Sequence, residues 1–100
     1  MRLEFDYGIY SGYPGDGNSS YMITSETISG YSAKMVIPKD NAQLQNKLTE
    51  IYFEGLPEYY SYGSLSSTRK LSIYGVNLTK AEQDTALQIF RSVSIKKLTQ

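Results

Sequence analysis

The residue types that could do chemistry are few in this 100-residue chain, because it contains no His, no Cys and no Trp. Without imidazole there is no Ser-His or Cys-His nucleophile activation and no usual nitrogen ligand for transition metals. Without thiols there are no disulfides, thiolate nucleophiles or sulfur-ligated zinc sites. Any reaction would rest on carboxylates, Lys, Ser or Tyr. Glu50, Glu54 and Glu58 are spaced to lie along one strand face, where two acids could divide acid and base work on a glycoside. The alternative is the polar side of a half-exposed sheet, and the sequence favours it. Ser67 and Lys70 have the Ser-x-x-Lys spacing of lysine-activated serines, but that chemistry needs a helix and "STRKLSIYG" reads as a strand.

Two further patterns fail on their own geometry. "GDGNSS" puts Asp16, Asn18 and Ser20 at the first three ligand positions of a calcium loop. The sixth position is then Tyr21 where Gly is required, and the twelfth is Thr27, with Glu26 one place early. As a phosphate cradle it lacks its third glycine and is followed by strand-like "YMIT" instead of a helix. "NSS" at Asn18 and "NLT" at Asn77 match the glycosylation acceptor triplet, and both are equally explained as turn residues. No catalytic residue, metal site or cofactor is expected.

Tyrosine is the type in excess, with 10 in the chain. "EYYSYGSLSSTRK" places Tyr59, Tyr60 and Tyr62 among serines and glycine after Pro57, the mixture that contact loops use because tyrosine offers broad area at low rotamer cost. "YGIYSGYPG" brings Tyr10 and Tyr13, with Tyr7, into a second such segment. Tyr59, Tyr60, Tyr62, Tyr10 and Tyr13 are the candidate binding residues. The competing reading is a packed, silent loop.

Charge and hydropathy narrow the partners. Ten Lys and Arg balance ten Asp and Glu, and the cations are scattered instead of forming the clustered footprint that phosphate neutralisation requires. A protein or carbohydrate partner fits this surface; nucleic acid does not. No apolar run approaches the roughly 18 residues of a membrane span, so no membrane insertion is expected. The chain opens on a charged alternating segment with no signal-like hydrophobic run, so an exported origin would require a leader removed upstream.

The elements that must position these residues follow from periodicity. In "RLEFDYGIY" the odd positions Leu3, Phe5, Tyr7 and Ile9 are apolar, predicting a strand with that face in the core. "SGYPGDGNSS" is a turn-rich loop. "YMITSETI", a Ser29-Gly30 turn and "YSAKMVI" predict two further strands. Residues 40 to 53 admit a helix, with Asp40 and Gln43 as a capping box and Leu44, Leu48 and Ile51 at helical spacing. A polar connection running into a strand at about Lys47 to Glu54 is the favoured reading. "RKLSIYGV" is the fifth strand. A helix then starts at Thr79 with Glu82 completing a capping box, Asp84 near its positive end, Arg91 in its last turn, and Ala86, Ile89, Phe90 and Val93 on one stripe. The expected fold is one α+β domain over residues 1–100: an antiparallel sheet of about five strands with one C-terminal amphipathic helix on one face.

The ending "LSIYGVNLTKAEQDTALQIFRSVSIK" resembles the C-terminal part of PsbP/Mog1-like α+β modules of bacterial secreted proteins and lipoproteins, with "SGYSAKMVI" and "TEIYFEGL" similar to their central strands. The resemblance covers residues 26–97 and implies a non-enzymatic binding or accessory role in an exported or surface protein, without assigning a role to any residue. A small inhibitor-type protein that blocks a macromolecule is the alternative, and a carboxylate-dependent enzyme the last.

Overall fold

The structure is a computed structural model that describes residues 1–8, 20–40, 45–56 and 69–95. Five strands, β1 (Glu4–Gly8), β2 (Tyr21–Ile28), β3 (Tyr31–Pro38), β4 (Leu48–Leu56) and β5 (Arg69–Val76), precede one helix, α1 (Lys80–Arg91). The strands form one sheet in the order β1-β5-β4-β3-β2, and each neighbouring pair is antiparallel. This is the expected α+β class. The stretch that admitted a helix is a strand from Leu48 onward, and residues 41–44 lie outside the described residues.

Local chemistry accounts for the joints. Ser29 and Gly30 both have positive φ, 55° and 81°, the backbone of the two-residue hairpin turn whose twist matches its strands. Asn77, at φ 54°, turns the chain out of β5. Its Oδ1 accepts from the Lys47 amide at 2.9 Å and its own amide donates to the Lys47 carbonyl at 2.8 Å, pinning the end of β5 to the start of β4. Near its C-terminal end β4 carries an irregularity: the register shifts between Phe53 and Leu56, where Gly55 sits at φ 70°. One extra residue there returns Leu56 to the core side.

The core lies between the sheet and α1. Met35, Ile51 and Ile73 sit opposite one another across three strands, as do Ala33, Phe53 and Leu71, and Ala86 and Phe90 of the helix close over them. Thr79 caps α1 through a capping box, its hydroxyl accepting from the Glu82 amide at 3.2 Å while the Glu82 carboxylate accepts from the Thr79 amide at 2.9 Å. Arg91 binds Glu26 of β2 through two nitrogens, at 3.1 and 3.3 Å, tying the last helical turn to the far edge of the sheet. Gln83 is buried on the inner side and donates to Thr49 Oγ1 at 3.3 Å.

Two expectations about the core are corrected. Ile89 is 40 % exposed, and the buried stripe of α1 is Gln83, Ala86 and Phe90. Phe5 and Tyr7 on the odd face of β1 are not core either, at 76 % and 48 % exposed, while Leu3 packs partly against the cluster and Ile9 lies outside the described residues. The physical reason is width. A helix about 10 Å across lies over β4 and cannot also cover an edge strand two places away, at about 4.8 Å per strand.

Candidate functional site

The side of the sheet away from α1 holds the more unusual chemistry. Strand alternation sends Glu4 and Asp6 of β1, Ser72 and Tyr74 of β5, Glu50 and Tyr52 of β4, and Lys34 and Val36 of β3 to that side. Two rows result: Glu4, Tyr74, Glu50 and Val36 in one, and Asp6, Ser72, Tyr52 and Lys34 in the next. Although no helix among the described residues covers them, Val36 is 0 % and Glu50 only 4 % exposed, and Tyr52 and Ser72 are buried too. Tyr21 contributes to the cover. It reaches from β2 across β3, and its hydroxyl accepts from the Leu48 amide at 3.1 Å and donates to the Asn46 carbonyl at 3.4 Å.

Glu50 is the anomaly. Its Oε1 is buried with no hydrogen-bond partner among the described residues. Burial first and the Asp6 charge second push its carboxyl up to about 7, and a Ser72 hydrogen bond only partly offsets them. The same negative field raises the Tyr52 phenol, through burial and then Glu54 and Glu50. Tyr74 is raised chiefly by donating its hydroxyl to Glu4. The cations nearby are committed elsewhere: Lys34 Nζ donates to Ser25 Oγ at 2.8 Å, and Arg2 pairs with Glu4 at 3.2 Å. Among the described residues no group of three or more acidic or other metal-ligating side chains is arranged to hold a metal ion.

Depressions in the described surface are small or open. One of about 140 Å³ lies between Lys39, Lys47, Lys80 and Gln83, and another of about 160 Å³ between Arg2, Glu4 and Tyr74. Both fall below the roughly 300 Å³ at which pockets for drug-sized molecules begin. A third, of about 430 Å³, is a polar concavity over Ser25, Lys34 and Glu54.

Of the residues singled out from the sequence, Tyr10, Tyr13, Tyr59, Tyr60 and Tyr62 lie outside the described residues, as do Asp16, Asn18, Glu58 and Ser67. The proposed acid pair is parted by its surroundings, with Glu50 buried and Glu54 exposed beside the Gly55 irregularity. Glu50 therefore departs from the solvated polar face expected of it. Its signal was present in "LTEIYF", where Ile51, Tyr52 and Phe53 are consecutive and apolar, the pattern of a strand buried on both sides. Asn77 has the turn role already described, with its side-chain oxygen engaged.

No protein-family model matches the chain, and no curated protein or solved structure matches it. Among the described residues no helix is long and apolar enough to cross a membrane.

Proposed function

We propose that this chain is a non-enzymatic binding or accessory domain whose contact surface is built from its two tyrosine-rich segments. One observation carries the reading. Gly8, from which the segment with Tyr10 and Tyr13 departs, is paired with Lys70, and Leu56, from which the segment with Tyr59, Tyr60 and Tyr62 departs, is paired with Arg69. Lys70 and Arg69 are adjacent in β5, so both segments are anchored at the same end of the sheet. Tyrosine, serine and glycine in two segments that leave neighbouring anchors suit contact with a protein or a carbohydrate. The resemblance to PsbP/Mog1-like modules of exported bacterial proteins favours the same accessory role.

The test compares the wild-type protein with a Tyr59→Ser, Tyr60→Ser, Tyr62→Ser variant and a Tyr10→Ser, Tyr13→Ser variant, on a glycan array and in quantitative affinity capture. A defined glycan, or one protein retained at fixed stoichiometry, should be lost from both variants while the thermal midpoint holds. A single stoichiometric protein whose activity falls on binding would identify the inhibitor-type alternative. A collapse of the thermal midpoint would place these rings in the core and remove the proposal. Turnover that survives purification and disappears in Glu50→Gln would replace it with carboxylate catalysis.

A further inference from the structure

We propose that β1 is held on the sheet by a proton: with Glu50 neutral the first strand stays docked on β5, and ionisation of Glu50 crowds negative charge beneath it and releases it. The proposal stands on a cluster of groups. Glu50 occupies the centre of β4 on the side away from α1, its Oε1 buried and unpartnered, and β5 separates it from β1, where Glu4 and Asp6 face the same side. An ionised carboxylate in that position is shielded from solvent and has no donor among the described residues for one of its oxygens, which disfavours the charged form.

Among the described residues, the charged and titratable groups on that side come from β1, β5, β4 and β3, with Tyr21 reaching in from β2. From β1 come Glu4, which pairs with Arg2 and accepts from Tyr74, and Asp6, which has no ion pair among the described residues. From β5 come Tyr74, Ser72 and, opposite Gly8 at the strand end, Lys70. From β4 come Tyr52 and Glu54, and from β3 Lys34, whose ammonium is drawn toward Ser25 on β2. The field at Glu50 is thus dominated by acids. Burial and Asp6, in that order, bring its titration up to about 7.

The strain is relieved where the fold is weakest. β4 is flanked on both sides, and its Ile51 and Phe53 are fully buried. β1 is a five-residue edge strand with one neighbour, and on its other side Phe5 and Tyr7 are largely solvated, so little apolar burial holds it. Moving β1 separates Asp6 from Glu50 and admits water. Moving β4 would open the core.

The experiment is amide hydrogen exchange by NMR on the whole chain from about pH 5.5 to about pH 8.5, corrected for intrinsic base catalysis, with a ¹³C titration of the Glu50 carboxyl. Those β1 amides (residues 4–8) that are protected in acid should lose protection by up to roughly tenfold per pH unit as pH rises toward the Glu50 midpoint, the limit for one proton released per opening, and level off above it. The Ile51 and Phe53 amides should stay protected over the same range. Glu50→Gln should keep β1 protected throughout, and Asp6→Asn should lower the Glu50 midpoint and shrink the total loss of protection. Constant β1 protection in the wild-type protein, a loss that persists in Glu50→Gln, or parallel loss in β1 and β4 would each overturn the proposal. If Glu50→Gln does not fold, Asp6→Asn decides alone: an unaltered profile counts against proton gating.

Discussion

Glu50 and Asp6 stand on β4 and β1 with β5 between them, facing the side of the sheet away from α1, and the Asp6 charge acts on the buried Glu50 carboxyl. The relationship gives the protein a defined pH dependence. The folded Glu50 titrates at about 7, raised from 4.5, so between these values the folded state holds a proton that the unfolded state has lost. Its neutral form is fully compatible with the fold below the unfolded pKa, and stability falls as pH rises through the folded one. Chemical denaturation at pH 5 and pH 8 should therefore show a loss of up to about 3 kcal/mol on the alkaline side, at about 1.4 kcal/mol per unit. In Glu50→Gln the slope should vanish, and the variant should exceed the wild-type protein in stability at pH 8. An equal slope in both would refute the assignment.

Phe90 and Phe5 form a matched contrast, since both were read from the sequence as core. Phe90 is 0 % exposed against the sheet, and Phe90→Ala should cost about 3 to 5 kcal/mol, a large part of the stability of a domain this size. Phe5 is mostly solvated, and Phe5→Ser should shift stability by no more than about 0.5 kcal/mol. Urea midpoints of the two variants measure both. A large loss in Phe5→Ser would mean that β1 is packed on its helix side.

Tyr21 tests how the side of the sheet away from α1 is closed. Tyr21→Phe keeps the ring over β3 but removes the hydroxyl that accepts from the Leu48 amide, at a cost of about 1 to 2 kcal/mol. Tyr21→Ser also removes the ring that spans β3, and should destabilise clearly more. If the two substitutions were equal, the ring would be irrelevant to the cover.

Thr79→Ala should lower stability by about 1 kcal/mol, because it leaves the Glu82 amide without its acceptor at the start of α1. Thr79→Ser should restore most of it. Circular dichroism during thermal unfolding gives both values.

Much of the architecture was legible because it depends on local chemistry. Strand-forming residue types located β2, period-two spacing located β3 and β5, Ser29-Gly30 located the turn between β2 and β3, and the Thr79–Glu82 capping box located the helix start to the residue. Alternation also divides each strand into two faces. It does not say how much of a face its neighbours cover.

The amino-acid sequence by itself determined the types of β1, β2, β3, β5 and α1, the antiparallel α+β class and the absence of imidazole and thiol chemistry, since each follows from residue identity and short-range spacing; β4 it left open between helix and strand. Only the tertiary structure decided that Phe5 and Tyr7 are solvated while Glu50 is buried, because strand order puts β1 at an edge and β4 at the centre. Burial and charge proximity are set by which strands become neighbours, and that pairing joins residues far apart in the chain.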